Sequence, residues 1–305
     1  MEVMTHRPTR DRLLEVLKTA VGRKLRPPVG ILLGSPREAA EIAAGLEEGP
    51  VVCYQMDLYQ AERLEGELRE RAAQDTLPFG RGHLALYGWG SGPTVLLVHG
   101  WGARGTHLGK MVMPLVAAGY RVVAFDAPGH GHSSGRSATL PQFASAIATV
   151  AAHVGEIHAL VAHSFGVAMA LWAQLDWGMQ VRRQVLFSSL EHCKWVTEEF
   201  ARLMRLPESV LARGRQLMVE RSQGAMDWER LAVGDMLAQT VSPTLLVHDA
   251  EDPEVPIEHM FQLMTACAQR PLELHVTEGL GHHRLLGNRD VIDRLVAFIG
   301  APQAA

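Results

Sequence analysis

One serine in this chain stands where it could serve as a nucleophile. Ser164 lies in AHSFG, between an apolar run, IHALVA (157–162), and a helix-forming stretch from about residue 165. A serine on a sharp strand-to-helix turn is held in a strained backbone, and small residues two before and two after let strand and helix approach. Ala162 and Gly166 fill those places. A hydroxyl is a poor nucleophile until an imidazole takes its proton, and that imidazole needs a carboxylate to fix its tautomer. Downstream, LLVHDAEDPEVP supplies Asp249 and Asp252, and GLGHHRLL supplies His282 and His283. Upstream, VLLVHGWG (95–102) puts a His-Gly turn after another apolar run. The backbone amides of Trp101 and Phe165 would then form an oxyanion hole, two donors aimed where a tetrahedral intermediate gathers charge. Each piece alone has a plain structural reading, Gly100 and Gly102 as a tight turn for example. Together, in the order Ser, Asp, His, they match a known triad order.

The elements that must carry these residues alternate. From Thr94 the chain reads TVLLV, a helix near 107–118, RVVAF (121–125), and a helix opened by TLPQ (139–142). IHALVA, a helix, QVLFS (184–188), a long helical region, TLLVH (244–248), a helix near 256–269, LELHV (272–276) and a last helix near 289–299 follow. Continuous apolar runs suit strands buried on both faces of a parallel sheet, and strand–helix repetition predicts an α/β fold with helices on both faces. Ligands in such sheets bind beyond the carboxyl ends of the strands, where every candidate above falls. HLALYGWGSGPT reads as an antiparallel hairpin strand whose turn feeds TVLLV.

Composition narrows the partners. The 305 residues are 47% hydrophobic and 20% charged, with a formal net charge of −4. That apolar content excludes disorder, and mild acidity argues against nucleic acid, whose phosphates call for excess Lys and Arg. Cys53, Cys193 and Cys267 are odd in number and far apart, as a reducing compartment leaves them. The polar start, MEVMTHRPTRDR, gives no signal peptide and no stretch is long enough for a membrane span, so the expected location is cytoplasmic. The 15 histidines are scattered without H-E-x-x-H spacing, so no metal is expected.

Taken together, HGWG (99–102), DAPGHGHS (126–133), AHSFG (162–166), D-P-E-V-P (252–256) and G-H-H (281–283) resemble the α/β-hydrolase superfamily over about residues 81–300. The resemblance implies Ser164 as nucleophile, Asp252 as acid, His282 as base, and the amides of Trp101 and Phe165 as oxyanion donors. Asp252 is favoured over Asp249 because the family's acid precedes the x-x-V-P turn. His282 is favoured over His283 because the family's histidine directly follows glycine. Glu191, after QVLFS, is the runner-up acid. His99, His130 and His132 are read as wall residues, His163 as packing or hydrogen-bonding behind the elbow, and Asp126 as a loop cap away from the triad. The implied reaction is cleavage of an ester or thioester of a small-molecule acyl substrate through an acyl-enzyme. The competing reading is a non-catalytic ligand-binding protein of the same fold, which would commonly lack a triad member. An insert at about 191–240 is expected to cap the site. Its Trp195, Phe200, Met204, Met218, Met226, Trp228 and Met236 are divided between an apolar acyl pocket and the cap's own core.

Residues 1–80 read as an N-terminal α/β extension and 81–305 as the hydrolase domain. An amphipathic helix fits residues 10–21, VGILLG leads to a helix start at Ser35-Pro36 with Glu38, and VVCYQ (51–55) leads to Asp57. The segment faintly resembles the first β-α-β of an S-adenosylmethionine-dependent methyltransferase, with Gly34 and Asp57 at its strand ends. Ser35 and Pro36 replace the G-x-G loop, so no cofactor is expected, and a structural role or a homodimer surface is the plainer reading.

Overall fold

The computed structural model describes residues 63–301, so the elements read before Arg63, with Gly34, Cys53 and Asp57, lie outside the described residues. Helix α1 (Arg63–Glu70) leads into the strands β1 (Ala73–Phe79), β2 (Gly82–Trp89) and β3 (Thr94–Val98). A 3-10 segment (Gly105–Met111) runs into α2 (Val112–Ala117), followed by β4 (Arg121–Phe125), α3 (Leu140–Val154), β5 (Ile157–His163), α4 (Phe165–Trp177) and β6 (Val181–Phe187). After α5 (Cys193–Met204), α6 (Glu208–Arg221) and α7 (Val233–Gln239) come β7 (Thr244–Asp249), α8 (Glu258–Ala266) and β8 (Leu272–Thr277). The short α9 (Gly281–Arg284) and α10 (Arg289–Gly300) complete the order.

The strands form one 8-stranded sheet in the order β1-β2-β4-β3-β5-β6-β7-β8, parallel from β4 to β8. Alternate residues of its central strands sort into two apolar cores. Leu96, Leu160, Leu186 and Leu246 pack with residues of α3, α4, α7 and α8, while Leu97, Val161, Val185 and Val247 pack with those of α2 and α10. Pleating sends successive side chains to opposite faces, so runs apolar at every position are what two helical layers require.

Helix starts follow side-chain chemistry. Thr139 and Gln142 form a reciprocal capping box at α3, and the Asn288 side chain accepts from the Val291 amide at α10. Helix α1 is fastened by the Trp89 indole, which donates to the Leu68 carbonyl at 3.0 Å, and by Glu65, which accepts from Arg104 and Thr106 at 2.7 Å each.

One expectation changes. β2 is antiparallel, but it pairs with β1 and β4 rather than with β3, since β4 lies between β2 and β3 in the sheet. The division at residue 80 falls inside the β1–β2 turn, where Phe79 pairs with Gly82. Residues 73–79 are therefore the edge of the main sheet.

The excursion after β6 is pinned at its neck by an antiparallel bridge between His192 and Ala232, with the Val233 amide donating to the Glu191 carbonyl at 2.6 Å. Beyond the bridge α7 belongs to the body, since Val233, Met236 and Leu237 are buried in the core they share with α4 and α8. Met226 and Trp228 are also buried there, and the Trp228 indole donates to the Arg215 carbonyl at 3.2 Å. Phe200 and Met218 pack with Val210 and Leu217 inside the excursion. The side chain of Met204 lies outside those described. Trp195 is half-buried, its ring edge-on to His259 at 4.6 Å.

Candidate active site

Ser164 sits between β5 and α4 with φ 54° and ψ −128°, a conformation that L-residues rarely take and that active sites hold under constraint. The constraint is visible. Its amide donates to the Phe187 carbonyl at the end of β6 (2.8 Å), and its carbonyl accepts from Val167 in the first turn of α4 (2.9 Å). Gly166 is where α4 meets β3, since a Cβ there would lie 2.3 Å from the His99 carbonyl oxygen. Gly100 leans on the elbow itself, where a Cβ would come within 3.2 Å of the Ser164 Cβ.

Of the two aspartates at and just after the end of β7, Asp252 meets a histidine. Its Oδ2 lies 2.7 Å from His282 Nδ1, and its Oδ1 accepts from the amides of Glu254 and Val255 at 2.9 Å each. Asp249 is instead occupied by the Thr277 hydroxyl and by the amides of Leu280 and Glu251. His283 turns to Glu254, Nε2 to Oε1 at 2.8 Å. Glu191 contributes backbone contacts here, its amide donating to His259 Nδ1 at 3.2 Å.

Electrostatics follows from burial and pairing. Burial pushes the His282 imidazole down, but the hydrogen bond and charge of Asp252, with Glu254, outweigh it and leave the ring above its ordinary value. Burial pushes Asp252 up, while His282 and the two amides bring it below the usual carboxylate range. A carboxylate at Nδ1 fixes the tautomer, leaving Nε2 as the proton acceptor.

The amides of Trp101 and Phe165 make no hydrogen bond among the described residues. Phe165 opens α4, so its N–H has no intrahelical acceptor and lies at the positive end of the helix. The rings of Trp101 and Phe165 meet edge to face at 4.7 Å, tying the two donor-bearing segments together.

The loop carrying Trp101 is stitched to the loop after β4 by three hydrogen bonds. The Gly102 amide donates to His130 Nε2 (3.3 Å), the Ala127 amide to His99 Nε2 (3.0 Å), and the Gly105 amide to Asp126 Oδ1 (2.7 Å). His99 and His130 are buried and held neutral, His99 pushed down to about 3 by burial and by its neighbour His130. Only a neutral ring can accept at Nε2. His132 is largely exposed in its side chain, so it is not part of that wall. Asp126, read from sequence as a distant loop cap, is a buried hub. Besides Gly105 it accepts from the Tyr87 hydroxyl (2.8 Å) and the His132 amide (2.8 Å).

Ser188 is close to this site, and the sequence reading gave it no role there. Ser188, at the end of β6, has φ 44°, and its Oγ is buried without a partner among the described residues. The only sequence sign was a pair of hydroxyls, Ser188 and Ser189, closing an apolar strand. Among the described residues no helix is long and apolar enough to cross a membrane, and no group of three or more His, Cys, Asp or Glu could hold a metal ion.

Residues 95–295 match the family described as the alpha/beta hydrolase family. The chain is 26% identical over 261 residues to a non-heme haloperoxidase of Rhodococcus erythropolis, covering 69% of this chain and 93% of that protein. It is 27% identical over 249 residues to a pimeloyl-[acyl-carrier protein] methyl ester esterase of Xanthomonas campestris, covering 70% and 97% respectively. Among solved structures, an esterase of Pyrococcus furiosus superposes with a TM-score of 0.62 at 17% identity, over 83% of this chain and 98% of that one. A thioesterase domain from the curacin biosynthetic pathway does so with a TM-score of 0.57 at 20% identity, over 75% and 99%. At these identities the structures show a shared fold.

Proposed function

Since this chain belongs to the alpha/beta hydrolase family, we propose that it is a serine hydrolase that cleaves an ester or thioester through an acyl-enzyme on Ser164. The observation that carries the reading is the Ser164 elbow, strained at φ 54° and joined through its neighbour His163 to the Asp252–His282 pair. Ser164 Oγ attacks the substrate carbonyl as His282 Nε2 takes its proton. The amides of Trp101 and Phe165 hold the oxyanion. His282 then gives the proton to the departing alcohol or thiol, leaving Ser164 acylated. A water attacks the acyl carbon by the same route, and the products are the carboxylic acid and free Ser164. Asp252 keeps the imidazole oriented and stabilises the imidazolium.

An esterase and a thioesterase domain among the proteins compared support the bond type proposed. Trp195 packs against the same core as Trp228 and Met226 but is only half-buried, which leaves part of its ring for an apolar acyl group. The reading is tested by labelling with a fluorophosphonate probe. Wild type is expected to label and S164A to remain unlabelled; equal labelling of the two, or none of the wild type, would overturn it.

A further inference from the structure

His163 is the residue before Ser164, it is buried, and its Nε2 lies 3.0 Å from the backbone carbonyl oxygen of His282. A carbonyl oxygen only accepts, so Nε2 carries the hydrogen and Nδ1 of the neutral ring bears a lone pair. That Nδ1 has no partner among the described residues, and it faces the Gly100 turn, where an added Cβ would come within 3.3 Å of it. The ring also meets the His282 ring at 4.6 Å and the His107 ring at 5.7 Å. One imidazole is thus wedged between the turn that precedes Trp101 and the segment that carries His282, and is covalently continuous with Ser164.

We propose that His163 is a positioning residue, whose hydrogen bond to the His282 carbonyl sets the height of the His282 ring over Ser164. The proposal rests on the serine-hydrolase reading above. His282 is held at two points: its side chain by Asp252 and its main chain by His163. Asp252 lies after β7 and can fix the ring's rotation, but it has no connection to the elbow. His163 supplies that connection through one hydrogen bond and one peptide unit. Gly279 and Gly281, both at positive φ, turn the segment before His282, which Asp249 fastens to the end of β7 through the Leu280 amide and His163 fastens to the elbow. Displacement of a reacting group by about 1 Å can cost about 10²-fold in rate.

The test compares H163F, which keeps a ring but has no donor, with H163Q, whose amide nitrogen reaches the position of the lost Nε2. Activity is measured on an activated ester, with rates of fluorophosphonate labelling and urea unfolding midpoints alongside. H163F is expected to lose about 10²-fold in kcat, with KM held within about twofold, because no substrate contact is removed. H163Q is expected to recover most of that loss. A residue that only filled space would show the opposite order, since Phe keeps more apolar volume than Gln. If H163F does not fold, H163N serves in its place, its amide ending about one bond short of the carbonyl; equal kcat in H163N and H163Q would overturn the proposal. A labelled wild type with unchanged kcat in H163F would remove the proposal alone, whereas an unlabelled wild type would remove it with the reading on which it rests.

Discussion

Asp252 presents one oxygen to each of two duties: Oδ2 to His282 Nδ1 at 2.7 Å, and Oδ1 to the amides of Glu254 and Val255. The second duty makes the first effective, because a carboxylate pinned by two amides cannot rotate to follow a drifting imidazole. Asp249 has the same chemistry three residues earlier but is committed to Thr277, Leu280 and Glu251. The x-x-V-P run that follows Asp252, and not Asp249, places Val255 where its amide closes the turn on Asp252.

The pH dependence of kcat/KM follows from this pair. In the proposed mechanism His282 must be neutral to accept the Ser164 proton, and its imidazole is held above the ordinary value of about 6.5. Activity is therefore expected to fall as pH drops, with the midpoint of the acid limb above 6.5. Stability runs the other way for this group: its contribution is full below about 6.5 and is lost as pH rises through the raised folded value. D252N should lower kcat/KM by about 10⁴-fold at neutral pH and move the acid limb downward, while D249N keeps its rate within about tenfold. A wild-type limb centred below 6.5, or equal losses in D249N and D252N, would contradict the assignment.

G166A should be more damaging to stability than its size suggests. The added Cβ would sit 2.3 Å from the His99 carbonyl oxygen and 3.0 Å from its carbon, both backbone atoms that cannot rotate away. Overpacking of this kind costs about 1–3 kcal/mol, read as a lower urea midpoint at unchanged m. G100A meets looser neighbours, the His163 carbonyl oxygen at 3.1 Å and the Ser164 Cβ at 3.2 Å. It should therefore cost less stability, and its effect should appear in kcat because what it presses on is the elbow. A larger midpoint shift in G100A than in G166A would count against this account.

The central strands were legible because each holds an unbroken apolar run, as in VLLV (95–98) and ALVA (159–162), and the elbow because Ala162 and Gly166 are small where two elements meet. Pairing was not legible. Nothing within HLALYGW says that its neighbour is β4 rather than the strand it runs into. What His163 and Asp126 bond to escaped for a related reason. Each acts through a contact distant in the chain, His163 on the His282 carbonyl and Asp126 on the Tyr87 hydroxyl and Gly105 amide, and single-residue chemistry does not reveal such partners. The excursion after β6 was legible as helical, but how deeply each aromatic is buried was not, because Trp195 and Trp228 differ only in what they meet.

Acid should act on the fold in two separate windows. Buried His99 is held neutral with its value pushed down to about 3, against about 6.5 in the unfolded chain, so stability is lost as pH falls from about 6.5 toward 3. Asp126 is different. Burial pushes its carboxyl up, but His132 and the amides of His132 and Gly105 outweigh this and leave it below the ordinary range. Its contribution is present above the unfolded value of about 3.9 and is lost only as pH falls below that. Urea midpoints of wild type and D126N are thus expected to decline in parallel from about pH 6.5 to 4 and to converge only below about 3.9. Y87F removes one hydrogen bond to the same carboxylate and should cost about 1.5–3 kcal/mol at neutral pH. It leaves the Gly105 amide on Asp126, so its kcat should stay near wild type, whereas D126A frees that amide, loosens the loop bearing Trp101 and should lower kcat as well. Convergence of D126N and wild type already at pH 5 would show that Asp126 is not the depressed carboxylate, and equal kcat in Y87F and D126A would show that its hold on Gly105 does not reach the oxyanion donors.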